Sequence, residues 1–201
     1  MNLQKKIKDL KKSRISKTIN KRLKEFKSFK NKSSKEWFSE LCFCLLTANS
    51  KARTAIAIQK ELGHEGFMHK SFKELSNCIL RNKHRFHNNK ARFIIEARRY
   101  PNIKDIIENK SQKEAREWLV KNIKGLGYKE ASHFLRNVGY FDLAILDRHI
   151  LSLMNEYPKS LNKKNYLRIE DKLKKLSKNL KMTLAELDLY MWYIKTNEVL
   201  K

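Results

Sequence analysis

Glycine and proline are the scarce residues of this chain, five and two in 201. With so little to break or punctuate regular structure, turns are few and helices should dominate. Cysteine is scarce too, with Cys42 and Cys44 in the apolar run "LCFCLL" and Cys78 alone. The count is odd, and the spacing matches neither a zinc ribbon nor a cysteine-ligated iron–sulfur cluster, so all three read as buried small hydrophobes. No window approaches eighteen consecutive apolar residues, which excludes a membrane-spanning helix from expectation. The N-terminal "MNLQKKIKDLKKSRISK" is basic but has no apolar core, so it does not read as a secretory signal. The expected location is a reducing cytoplasm, at the nucleoid. Acidic residues are the last shortage: 21 Asp and Glu face 46 Lys and Arg, leaving +25. Self-repulsion of that size contributes nothing to a fold. It implies a polyanionic partner, nucleic acid ahead of an anionic membrane surface.

What is present reads as helix. Apolar residues make up 41% of the chain, enough to bury the core of one compact unit or two small ones. Residues 3–30 carry Leu3, Ile7, Leu10, Ile19, Leu23 and Phe26 at helical spacing, as one or two basic amphipathic helices. "KSSKEWFSELCFCLLTA" predicts a helix capped by Ser33 or Ser34 and apolar all round from Leu41 to Leu46, hence central and buried. Ser50 is placed to cap a helix over "KARTAIAIQKEL" that ends at Gly63, and "SFKELSNCILRN" is a further capped helix. "HRFHNNK" reads as a polar joint, and "KARFIIEARRY" as a helix stopped by Pro101. Ser111 and Glu114 have capping-box spacing. Helices follow near 148–157, 163–178 and 183–195. No stretch alternates long enough for a strand, so the expected class is all-α, with about ten helices.

Two of the five glycines, Gly125 and Gly127, lie in "NIKGLGYKEASHFL", a tight turn between two helical stretches. Glycine permits positive φ and close backbone approach. Amides at the start of the second helix, beside the positive end of its dipole, then make an anion site suited to a phosphate. An ordinary helix–helix turn is the alternative. Lys129 follows at once. Asp147 stands alone in the apolar "AILDRHI", where it can cap the next helix.

"IKGLGYKEA" resembles the helix–hairpin–helix element, and "AILDRHI" resembles the segment bearing the obligate aspartate of the helix–hairpin–helix DNA glycosylases, which flip a damaged base out of the duplex. Lys124 departs from the pattern, which has proline there. In that superfamily a lysine at the Lys129 position implies a bifunctional enzyme, in which the amine attacks the sugar C1′ and forms a Schiff base. Elementary electrostatics agrees. A first-turn position disfavours an ammonium, as do neighbouring cations and partial burial, and a fixed carboxylate at Asp147 would stabilise positive charge growing on the sugar. Lys129 could otherwise be one phosphate-binding lysine among many, and Asp147 a cap alone. His149 is expected to pack or bond locally.

The endonuclease III branch commonly carries a four-cysteine cluster loop, and this chain has no cysteine after Cys78. "LTANS", "HRFHNNKARFI" and the closing "LDLYMWYIKTNEVLK" resemble the compact 8-oxoguanine DNA glycosylase/AP lyases best known from archaea, over nearly the whole chain. That resemblance implies excision of 8-oxoguanine from double-stranded DNA and cleavage of the abasic site by a monomer that needs no cofactor and holds no iron–sulfur cluster. It implies two helical lobes flanking an active-site cleft: residues 32–145 with the hairpin, and residues 1–31 with 146–201. Base flipping needs a wedge and a filler. Phe86 is the candidate wedge, Arg85 the residue that reaches the orphaned cytosine, and Asn49 the amide that enters the void. Trp192 and Lys201 are candidates for base recognition, Lys201 through a terminal carboxylate that would accept from the N7–H peculiar to 8-oxoguanine. The family's hairpin often holds a cation on backbone carbonyls, by position those of Lys121, Ile123 and Leu126. The alternatives are an endonuclease III-like enzyme for oxidised pyrimidines and a non-enzymatic DNA-binding module.

Overall fold

The computed structural model describes residues 2–201. Among them are twelve α-helices and no strand: α1 (Leu3–Lys11), α2 (Ile15–Phe29), α3 (Ser34–Thr47), α4 (Ala52–His69), α5 (Phe72–Arg81), α6 (His87–Ala97), α7 (Ile103–Ile107), α8 (Gln112–Asn122), α9 (Tyr128–Asn137), α10 (Arg148–Leu153), α11 (Lys163–Asn179) and α12 (Leu184–Thr196). The chain forms two compact units, Asn31–Phe134 and Met1–Lys30 with Leu135–Lys201.

The unit Asn31–Phe134 is built around α3. Ser33 opens that helix with a complete capping box: its hydroxyl accepts from the Glu36 amide, and the Glu36 carboxylate accepts from the Ser33 amide at 3.0 Å. Every residue from Leu41 to Thr47 is buried. At about 1.5–3 kcal/mol for each large apolar side chain, this helix anchors the unit. Trp37 meets Phe134 edge-on at 5.9 Å, tying α3 to α9. Ser71 with Glu74 and Ser111 with Glu114 box α5 and α8 in the same way. Ser50 does not cap α4. Its amide donates to the Thr47 carbonyl within the turn, and the cap position falls to Lys51, which makes no side-chain capping bond. Gly63 breaks α4 at φ 56°, as its place in the sequence suggested, but helix resumes and runs to His69. The short α7 had no clear signal in the sequence, and α6 begins at His87 rather than Lys90.

In the second unit, residues 3–30 form two helices whose apolar faces bury Ile7, Ile19 and Phe26. The extended segment around Ala144 has no strand beside it, so its peptide groups need other partners. Helix α11 supplies them. Glu170, fully buried, accepts from the Ala144 amide at 3.0 Å, and the Tyr166 hydroxyl donates to the Ala144 carbonyl at 2.6 Å. The helix expected over 148–157 ends at Leu153.

Candidate active site

The hairpin is the turn from Ile123 to Gly127 between α8 and α9. Its two glycines do different work. Gly125 sits at φ +92°, and a Cβ there would lie 2.4 Å from the Phe93 ring, so both conformation and space require glycine. A Cβ on Gly127 would only approach the Glu130 carboxylate at 3.3 Å. Side chains staple the two helices. Arg116, 2% exposed, donates to the Ser132 hydroxyl at 3.3 Å and lies over the Tyr128 ring, whose hydroxyl donates to Glu117 at 2.6 Å. The Gly127 amide, expected to face a phosphate, donates instead to Glu130 Oε2 at 3.3 Å. Asp and Glu are natural first-turn partners for such amides. The Ile123 carbonyl accepts from the Leu126 amide across the turn. Among the described residues no group of three or more His, Cys, Asp or Glu is arranged to hold a metal.

Lys129 is the second residue of α9. Its side chain is 30% exposed and its amine lies 3.2 Å from Glu130 Oε1. The electrostatics around it are mixed rather than uniformly cationic. Lys90, 4% exposed, donates to the Leu45 carbonyl at 2.6 Å. Burial pushes the Lys90 amine down to about 8, with Glu130 opposing and Lys129 assisting. Neither Lys90 nor Glu130 stood out in the sequence. A lysine in a polar run and an acid next to a lysine carry no local signal.

Asp147 caps α10. One carboxylate oxygen, Oδ1, accepts from both the His149 amide at 2.9 Å and the Ile150 amide at 2.8 Å, and Oδ2 takes neither. The cap therefore orients the group without consuming it. Asp188 lies within electrostatic reach of Asp147. Burial raises the Asp188 carboxyl to about 6, while its ion pair with Arg136 opposes the rise. The His149 ring stands edge-on to Trp192 at 5.2 Å, and the buried Trp192 Nε1–H has no hydrogen-bond partner among the described residues. Lys201 is partly buried beyond the left-handed Asn197 that ends α12.

In the unit Asn31–Phe134, Asn49 is exposed at φ 60°, immediately after α3. Phe86 remains 40% exposed, with the Arg85 guanidinium 5.3 Å above its ring. The segment "HRFHNNK" is not simply a polar joint: its first residue, His84, is 1% exposed and its last, Lys90, is equally part of the interior.

The chain matches the 8-oxoguanine DNA glycosylase family model over residues 19–182. It is 53% identical over 208 residues to the 8-oxoguanine DNA glycosylase/AP lyase of Methanocaldococcus jannaschii, covering all of both chains. The crystal structure of that organism's 8-oxoguanine glycosylase/lyase in complex with 15mer DNA containing 8-oxoguanine superposes with a TM-score of 0.97, at full coverage of both chains and 53% identity. The Thermotoga maritima 8-oxoguanine DNA glycosylase gives 0.93 at 38% identity, over 99% of this chain and 98% of that one.

Proposed function

Because the chain belongs to the 8-oxoguanine DNA glycosylase family, we propose that it excises 8-oxoguanine from double-stranded DNA and cleaves the abasic site left behind. The observation that carries the reading is the pair of groups its two motifs present. Lys129 offers an amine on the first turn of α9, and Asp147 offers a carboxylate oxygen that its cap leaves uncommitted. The Lys129 amine attacks C1′ and the glycosidic bond breaks, its electron pair leaving with the base. The Asp147 carboxylate stabilises the positive charge that grows on the sugar as that bond loosens. The nitrogen then loses its proton, the sugar ring opens, and a Schiff base forms. Removal of a C2′ proton expels the 3′ phosphate, and water releases the enzyme from the cleaved product.

Phe86 is assigned as the wedge, Asn49 as the residue that enters the vacated space and Arg85 as the contact to the orphaned cytosine, in keeping with their exposure. Trp192 and Lys201 are assigned to base recognition. Trp192 has a buried ring donor to offer, and Lys201 follows the same helix. The +25 charge supports a duplex partner bound through its phosphates and a place of work at the nucleoid. Among the described residues no helix is long and apolar enough to cross a membrane. A panel of duplexes, each carrying one lesion, tests the reading: 8-oxoguanine should be released fastest. Preferential release of thymine glycol would move the enzyme to the oxidised-pyrimidine class.

A further inference from the structure

An imidazole joins the end of α3 to the turn bearing Phe86. A helix leaves its last four carbonyls without intrahelical amides. In α3 all four have other donors: Cys44 accepts from the Thr47 hydroxyl at 2.8 Å, Leu45 from Lys90, Leu46 from His84 Nε2 at 2.9 Å, and Thr47 from the Ser50 amide. Two of those donors come from the segment that begins at His84 and contains Phe86. The other ring nitrogen of His84, Nδ1, meets the Phe86 amide at 3.2 Å. A backbone amide can only donate and a carbonyl can only accept. The ring is therefore neutral, with its proton on Nε2 and a lone pair on Nδ1. Phe86 is held from both sides, because its carbonyl also accepts from the Lys90 amide at 2.9 Å. Its side chain is left exposed.

We propose that His84 is a positioning residue for lesion extrusion, clamping the Phe86 turn to the end of α3 so that the wedge and the Asn49 turn are presented as one rigid element. The proposal rests on the roles assigned to Phe86 and Asn49 above. Unstacking a base costs a few kcal/mol, and ordering a loose turn at the same moment would add to that cost. Holding the turn in advance removes the second contribution. The ring is suited to the task only while neutral. A proton on Nδ1 would confront the Phe86 amide with a second donor. Burial disfavours that proton. So do the basic groups that act on the ring, Lys90 and His87 from α6 and Arg85 from its own turn, while the Leu46 carbonyl favours it. Toward the ring α3 turns a carbonyl, and α5 bonds the His84 amide through Ile79.

The readout is the ratio of 8-oxoguanine excision to cleavage of a preformed abasic site in the same duplex, since an abasic nucleotide has no base to unstack. His84→Leu removes both bonds and should lower that ratio about tenfold or more. His84→Asn retains an acceptor where Nδ1 lies, and His84→Gln a donor near Nε2, so each should recover part of the loss. 2-Aminopurine beside the lesion should show slower unstacking in the same rank order. In the wild type the ratio should fall at acidic pH, and in His84→Asn it should not. A ratio that stays constant, with both activities falling together or neither falling, overturns the clamp. If the Leu variant fails to fold, the Asn and Gln variants decide between the same two outcomes. A wild-type protein that cleaves abasic sites but leaves 8-oxoguanine in place overturns the functional reading, and the clamp with it, without any His84 variant.

Discussion

Lys129 and Asp147 are held in opposite ways. Asp147 is fixed by its own backbone: two amides converge on one oxygen, and the extended segment before it is fastened by Glu170 and Tyr166 from α11. Lys129 sits near a helix start, ion-paired with Glu130, which also takes the Gly127 amide. A group that must only present charge gains from being immobile. A group that must form and break a covalent bond needs a partner it can leave. On the roles proposed for the two residues, the aspartate gains from its rigid setting and the lysine from a partner it can leave.

Removing either group should do the greatest damage, and in different ways. Lys129→Gln should abolish the borohydride-trapped adduct and lower excision by about a thousandfold or more, while lesion DNA still binds in a gel-shift assay. Asp147→Asn should lower excision by about a hundredfold or more. Its amide oxygen can keep both capping bonds, so the melting temperature should fall by the equivalent of less than about 1 kcal/mol. If Asp147→Asn loses stability and keeps its rate, the residue is a cap only. The hairpin glycines sharpen the contrast within one turn. Gly125→Ala meets both a positive φ and the Phe93 ring and should cost about 2 kcal/mol or more in denaturant unfolding. Gly127→Ala, which only nudges a flexible carboxylate, should cost less than about 1 kcal/mol.

Smaller effects follow from the partners. Glu130→Gln keeps an acceptor for the Gly127 amide and frees the lysine, so the rate of adduct trapping should rise by about threefold to tenfold with little change in stability. Abolition of trapping would make Glu130 part of the chemistry. The smallest effect is on pH. Burial lowers the proton affinity of folded His84 below the ordinary 6.5, so the unfolded chain takes up the proton first. Its contribution to stability is complete above about 6.5 and declines as pH falls below it. Thermal melts of wild type and His84→Asn from pH 7 to 5 should diverge in that direction, by less than about 1 kcal/mol.

What the sequence discloses depends on how far apart the partners stand. The capping boxes at Ser33 and Ser111, the break at Gly63, the hairpin and the Asp147 cap all act over three or four residues, and each can be read from a short window. His84 bonds a carbonyl 38 positions away, Lys90 one 45 away, and Glu170 an amide 26 away. No periodicity announces those, so "HRFHNNK" passes for a solvated joint although two of its residues close the end of the central helix. Ser50 shows the converse. Its residue type suits a cap, yet its amide closes the preceding turn and the helix starts without it.

Lys129 as the nucleophile is open to direct capture. Wild-type protein incubated with an 8-oxoguanine duplex, reduced with borohydride and digested should yield one modified peptide, with the deoxyribose remnant on Lys129. An adduct on Lys90 or another lysine, or 8-oxoguanine release with no adduct at all, would contradict it.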